Sequence, residues 1–412
     1  MSAPSFKKVL PYALVVFFGY MGFSMPLPIL PEMFLDAKEG ILSPLYSREL
    51  KTILLGIVMA AYPFGQLIGA PILGKCSDKW GRKKIILLSL LGSMAGYIFT
   101  AIATSHVSVV FIFLGLFICG LCEGNVAIAQ SVVADLAAEG EENNHKISHF
   151  GWINLFACFA FIIGPIVGGQ LSDSSLIPWF TFATPFWIAA GMTLIGTGIV
   201  LCFSEETKKS TIKGPVAGYW KSFKEGMKQR KLRKLYLVNF FLAFGYFSYF
   251  RFFPVYIDEK FSFDAGMLGY VIGYGSITFA IFSVLLLKPI SKWMGPEKSV
   301  GVFSFLLALS FGFILCFNYP LSLLFTTPPV NLCLAVVMTY SAVMVSDASS
   351  IEFQGQAFGM LTSVQVAAEV LTGLLGGFLA GYHTTFPMFV GSAMLIIGSI
   401  ILLAFKQEKK PC

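Results

Sequence analysis

Three charged side chains stand deep inside apolar stretches of this sequence: Glu123, Arg251 and Glu369. An ion at the centre of a hydrocarbon layer costs about 2.5–3.5 kcal/mol on insertion scales, so such groups face water-lined space or one another. Carboxylates and a guanidinium placed there can hold a proton, bind a polar or charged small molecule, or lock two helices as a fixed ion pair. Asn125, Tyr62, Gln66, Tyr246, Tyr274 and Gln365 add hydrogen-bonding groups within apolar runs and complete the candidate substrate- or proton-binding set. Tyr20, Asn154 and Tyr270 could line the same space. Any one of these polar residues alone serves equally well as an interhelical hydrogen bond.

A second cluster reads Gly74-Lys75-Cys76-Ser77-Asp78-Lys79-Trp80-Gly81-Arg82-Lys83-Lys84, in what the pattern predicts to be a loop between two helices. Gly81 suits a tight reversal. Asp78 can pair with Arg82 or face a helix N-terminus, whose dipole favours a carboxylate. That arrangement is a gate latch, and Gly74, Asp78, Gly81 and Arg82 are its candidate residues. Asp135 and Asp347 end the fourth and tenth helices in corresponding places and join them as gate or salt-bridge candidates, a solvated helix end being the plainer alternative.

The elements that carry these residues are long and apolar. Of 412 residues, 56% are hydrophobic and 12% charged, where soluble domains carry about 25% charged residues. A membrane-crossing helix needs about 20 apolar residues, and runs of that length recur over 9–35, 51–74, 84–104, 107–136, 147–171, 177–203, 234–257, 264–288, 299–319, 321–347, 355–382 and 384–406. Residues 1–203 and 234–412 thus hold six helices each, joined by a basic linker over 204–233. With Trp220, Phe223, Met227 and Leu232 among its lysines, the linker reads as an amphipathic surface helix or as a solvated tether. With both termini cytoplasmic, 24 Lys and Arg fall on the inner side, 4 on the outer, and Arg251 lies within a helix, an asymmetry that sets orientation. The net charge of +7 resides in these short loops and gives no reason to invoke nucleic acid.

The halves echo each other. Gly151 and Gly164-Pro165-Ile166-Val167-Gly168-Gly169 recur as Gly359 and Thr372-Gly373-Leu374-Leu375-Gly376-Gly377 at an offset of 208; Phe18-Gly19-Tyr20 and Pro28 recur as Phe244-Gly245-Tyr246 and Pro254 at 226. Parallel repeats of this kind mark alternating-access transporters. Gly65-x-x-x-Gly69, Gly120-x-x-x-Gly124, Gly164-x-x-x-Gly168 and Gly269-x-x-x-Gly273 predict close helix approach.

The Gly74–Lys84 segment resembles the signature between the second and third helices of the major facilitator superfamily. The run from Ala61-Tyr62-Pro63-Phe64-Gly65-Gln66 to Ala70-Pro71-Ile72-Leu73-Gly74 is similar to its drug and tetracycline exporter branch. Gly151, Gly164, Pro165, Gly168 and Gly169 resemble that branch's fifth-helix antiporter signature, with Ala160 where the signature has a glycine. The resemblance implies an all-α integral membrane protein with twelve transmembrane helices in two pseudo-symmetric six-helix bundles, the major facilitator fold. It also implies proton-coupled export of a small amphipathic or organic compound by a monomer in a bacterial inner membrane. One departure stands out: the family's fourth-helix signature has an Arg four residues before a Gly, and here Leu116 precedes Gly120. Loss of that Arg, associated in the family with proton coupling, favours the alternative of uptake of a metabolite, nutrient or siderophore, by proton symport or facilitated diffusion. A non-transporting sensor on the same fold would show a decayed Gly74–Lys84 motif, which is intact.

No enzyme and no cofactor are expected. The sequence has no Gly-x-x-x-x-Gly-Lys-Ser/Thr loop for a nucleotide. His106, His145, His149 and His383 are dispersed, which argues against a metal. Cys119 and Cys122 form a Cys-x-x-Cys within an apolar run, where cysteine behaves as a small hydrophobe. The expected partners are a small-molecule substrate, protons and the lipid bilayer.

Overall fold

The computed structural model describes residues 3–36, 40–138, 143–204, 206, 229–350 and 354–404; of residues 3–8, 134–138, 143–150 and 355 it describes the backbone alone. Trp220, Phe223 and Met227 of the linker, Cys412, and the side chains of Asp135 and Lys146 therefore lie outside the described residues. Those that are described form helices and connecting turns, with no strand among them.

Among the described residues, twelve helical spans are long and apolar enough to cross a membrane. In chain order the helices are α1 (Ala3–Ser24), α2 (Ile29–Leu35), α3 (Arg48–Trp80), α4 (Arg82–Ser105), α5 (Val109–Leu121), α6 (Gly124–Ala138), α7 (Asn143–Leu171) and α8 (Thr184–Phe203). They continue as α9 (Arg230–Phe261), α10 (Ala265–Leu285), α11 (Leu287–Trp293), α12 (Pro296–Leu315), α13 (Leu323–Ala348), α14 (Gln354–Tyr382) and α15 (Phe386–Ala404). Two spans are broken helices. Val9–Leu35 combines α1 and α2, and Val109–Val133 combines α5 with most of α6. The first break, at residues 25–28, holds Pro26 and Pro28, which donate no backbone N–H. The second falls at Cys122 and Glu123.

Helix ends follow local chemistry. Ser47 caps α3 by accepting the Leu50 amide at 3.3 Å, as a hydroxyl at this position does. α3 then runs to Trp80, well past the expected end at residue 74. The segment Gly74–Trp80 is accordingly helical, and the reversal into α4 is the single residue Gly81, at φ 103°. Only a residue without Cβ adopts that conformation at low cost, so nothing ends the helix before it.

The described residues form two compact units. One comprises residues within Met1–Ala217 and Ser262–Tyr274, the other residues within Gly218–Phe261 and Gly275–Cys412. In the first, Val16, Leu90, Ile128, Ile153 and Val200 belong to one buried cluster drawn from α1, α4, α6, α7 and α8. The start of α10 belongs here because Glu32 on α2 accepts the Ala265 amide at 2.5 Å. In the second unit, Tyr249 of α9 stacks on Phe311 of α12 at 5.2 Å between ring centroids, and Tyr236 of α9 donates to the Ala357 carbonyl of α14 at 3.3 Å. Leu88, Phe111, Leu194, Phe305, Leu309 and Phe378 are exposed, as side chains that meet lipid tails would be.

Candidate functional site

In the first unit the site is built on a backbone crossing of α3 with α5. A Cβ on Gly65 or Gly69 would strike the carbonyls of Phe117 or Leu121, and one on Gly120 would strike that of Tyr62. Small residues let two helices approach this closely, and the approach brings Tyr62 beside the end of α5. There the Tyr62 hydroxyl donates to Oε2 of Glu123. The Glu123 amide bonds back to the Gly120 carbonyl at 3.0 Å, closing the last turn of α5, and α6 starts at the next residue.

Glu123 is 5% exposed and Tyr62 6%, and among the described residues no basic side chain pairs with this carboxylate. Asn125 is 1% exposed. Its Oδ1 accepts the Val126 amide at 2.8 Å, whereas its Nδ2 has no hydrogen-bond partner among the described residues. Rings gather on the same side: Phe23 lies 4.9 Å from Tyr62, and Tyr20 lies 5.1 Å from Phe161. Gln66 is half-buried and Asn154 exposed. Leu116, where the resemblance would place an arginine, is a buried core residue.

In the second unit Arg251 of α9 and Glu369 of α14 form a buried ion pair. The two helices are also joined by Thr372, which donates to the Phe244 carbonyl at 3.4 Å. Tyr246 is buried and Gln365 half-buried. Tyr270 and Tyr274, on the part of α10 grouped with the first unit, are exposed and half-buried respectively. The three mid-span charges thus divide into a carboxylate bonded to a tyrosine in one unit and an ion pair in the other.

The Gly74–Lys84 segment, the candidate gate, is held by residues outside it. Asp78 and Arg82 approach to 3.8 Å. The Arg82 amide donates to Glu206 Oε1 at 2.7 Å and the Lys83 amide to the same atom at 3.5 Å. Lys83 Nζ in turn donates to the carbonyls of Ser204 at 2.7 Å and Leu201 at 3.0 Å. The carboxylate thus covers the free amides that begin α4, and the ammonium covers the free carbonyls that end α8, each charge opposing the helix dipole it meets. Sequence reading missed Glu206, and it placed Lys83 within the motif and among the inner basic residues without assigning it a contact; an acidic residue three positions beyond the sixth span was the available signal.

The remaining candidates divide by their surroundings. Gly164 and Gly168 of α7 abut Ser24 and Met25 at the end of α1, and Gly169 abuts Ala265. Ser24 also donates to the Ala160 carbonyl at 3.1 Å, and Pro165 lies inside α7. Gly74 and Gly151 have open space where a Cβ would stand. Asp347, near the end of α13, is exposed. Among the described residues no His, Cys, Asp and Glu group could hold a metal.

A twelve-span helical chain with membrane-buried charges and a clamped reversal between its second and third spans has the organisation of a solute transporter. Residues 12–330 match the family model described as Major Facilitator Superfamily. The chain belongs to that superfamily: it is a multi-pass integral membrane transporter and not an enzyme. It is 28% identical over 415 residues to the class E tetracycline resistance protein of Escherichia coli, covering 97% of this chain and 95% of the relative. It is 25% identical over 402 residues to multidrug resistance protein 1 of Bacillus subtilis (strain 168), covering 95% and 94%. Its fold is similar to that of a D-xylose-proton symporter, with a TM-score of 0.77 and 14% identity over 98% of each chain.

Proposed function

We propose that this transporter exports a small amphipathic or organic compound in exchange for protons, by rocking residues 1–203 against 234–412 in a bacterial inner membrane with both termini cytoplasmic. The observation that carries the proposal is the environment of Glu123. A buried carboxylate that meets a tyrosine hydroxyl, with no basic partner among the described residues, is a place where a proton or a cationic part of a substrate can bind. Tyr62, Asn125, Gln66 and the rings around them complete a site with an apolar body and a few polar groups, the usual composition of a small-molecule pocket. Full-length similarity to tetracycline and multidrug resistance proteins supports the outward direction and the organic substrate class. Coupling then needs only that proton and substrate bind the two access states unequally.

Buried Leu116 in the Arg position favours a second reading, uptake of a metabolite, nutrient or siderophore on the same site.

One experiment separates these readings and tests Glu123. Wild-type protein and Glu123→Gln are reconstituted into liposomes, and flux of a tetracycline or a fluorescent drug is followed with a pH gradient of either sign. Export predicts accumulation driven by an inward proton gradient in the direction opposite to the protons, with loss of gradient-driven flux and retained exchange in Glu123→Gln. Co-directional movement identifies uptake, and full gradient-driven transport by the variant removes Glu123 from the mechanism.

A further inference from the structure

The gate motif has a partial second copy. Lys75-x-x-x-Lys79-Trp80-Gly81-x-x-Lys84 recurs as Lys288-x-x-x-Lys292-Trp293-Met294-Gly295-x-x-Lys298, with Met294 inserted before the glycine. Both copies lie between an even-numbered span and the next, so they emerge on one side of the membrane. The second copy has lost the gate pair: Ser291 replaces Asp78 and Pro296 replaces Arg82. What the copies share is three lysines, a tryptophan and a glycine.

Of the shared lysines and tryptophans, all but the half-buried Lys75 are exposed. Lys79, Lys84, Lys288, Lys292 and Lys298 are exposed, and Trp80 and Trp293 are 56% and 88% exposed. None of the seven residues of α11 is buried. Just before α11, Val284 and Leu285 of α10 are also exposed, where only lipid tails suit them. Trp293 therefore follows closely on a lipid-facing helix end, flanked by ammonium groups. An indole prefers the boundary between hydrocarbon and headgroups, and lysines just outside that boundary are attracted to a negatively charged leaflet.

The geometry points to the two copies as paired docking surfaces for anionic phospholipid headgroups, with the Trp indoles at headgroup level and the lysines against the lipid phosphates. The occupant is a membrane lipid, because the charge is on the lysines and the apolar contact is on a span end; a soluble phosphate would leave the tryptophans in water. This role is independent of substrate and coupling. It accounts for the loss of Asp78 and Arg82 from the second copy while the lysines and tryptophan are kept.

The test uses full-length protein in bilayers of phosphatidylcholine with phosphatidylglycerol. Single-Trp variants keep Trp293 or Trp80 and replace the other five tryptophans with Phe. Quenching by brominated phosphatidylglycerol is compared with quenching by brominated phosphatidylcholine at equal mole fraction. The expected result is an enrichment of the anionic lipid of about fivefold, the effect of one lysine near a charged leaflet. It should be lost in Lys288→Gln/Lys292→Gln/Lys298→Gln for Trp293 and weakened by salt. If the single-Trp chains fail to fold, the same lysine substitutions in the wild-type background are read by the ratio of anionic to zwitterionic lipid retained on purification. Equal quenching by both lipids overturns the proposal, as does no quenching by either, which would put the tryptophans in water or against a protein. Displacement of the lipid by millimolar inorganic phosphate would identify a soluble-anion site instead and equally overturn it.

Discussion

Glu206 Oε1 accepts the Arg82 amide at 2.7 Å while Lys83 Nζ donates to the Ser204 carbonyl at 2.7 Å, so the start of α4 and the end of α8 each cap the other. The interaction ties the second-to-third-span reversal to the first residues after the sixth span. Glu206→Ala uncovers two amides and should cost about 1 kcal/mol, the usual value of a lost N-terminal cap. Lys83→Met should cost a similar amount at the other helix end. Thermal unfolding of the purified protein measures both. Glu206→Gln, which keeps an acceptor oxygen, should lie close to wild type, and a loss in Gln equal to that in Ala would show that the carboxylate acts by charge alone.

Asp78 tests a different part of the same turn. Its distance to Arg82, 3.8 Å, is long for an ion pair and its side chain is 43% exposed, so the pair adds little stability. Asp78→Asn should reduce turnover in reconstituted vesicles while leaving the protein folded and inserted. Unchanged turnover would remove Asp78 from the gate.

The motif glycines separate by the space around them. Gly120→Ala would drive a methyl group into the Tyr62 carbonyl, whereas Gly74→Ala and Gly151→Ala meet nothing within 4 Å. Overpacking typically costs about 1–3 kcal/mol, and at a backbone-to-backbone crossing the helices themselves must part. Gly120→Ala should lower the yield of folded protein and disturb the Tyr62–Glu123 bond, while the other two variants should express and melt as wild type. Size-exclusion profiles and melting curves report the difference.

How much of this was legible beforehand depends on the physics involved. The spans were readable because each needs a long apolar run, and the mid-span charges stood out against that background. The close approach at Gly65, Gly69 and Gly120 was also foreseen from spacing. The extension of α3 to Trp80 was not, since Lys75, Asp78 and Lys79 read as loop although all are compatible with helix. Nor could sequence choose among partners: Glu369 and Glu123 were equivalent candidates for Arg251, and only packing assigns Arg251 to Glu369. The reciprocal cap of Lys83 and Glu206 joins residues 123 apart, a separation at which periodicity carries no information.

Orientation rests on the basic residues and is open to a direct check. Cys316 follows α12 and is exposed, on the side expected to be external, whereas Cys412 ends the chain on the side expected to be cytoplasmic. A membrane-impermeant maleimide applied to intact cells should label a single-Cys variant retaining Cys316 and spare one retaining Cys412, both reacting once the membrane is opened. The reverse pattern would invert the topology.

The Arg251–Glu369 pair is the sharpest place to separate structure from mechanism. Both side chains are almost fully buried, 5% and 7% exposed, so each has given up its water for the other. Arg251→Leu alone leaves a carboxylate without its counter-charge and should destabilise the protein by about 3–5 kcal/mol. Arg251→Leu/Glu369→Leu removes both ions together and should recover most of that loss, because an apolar pair in the same space needs no solvation. Melting temperatures of the two single variants and the double variant form the cycle. The double variant is then assayed for gradient-driven flux in liposomes. Full transport by a stable double variant would make the pair a fixed lock between α9 and α14. A stable double variant that binds substrate yet accumulates none would place the pair in the transport cycle, where exchange of its partners shifts the balance between the two access states.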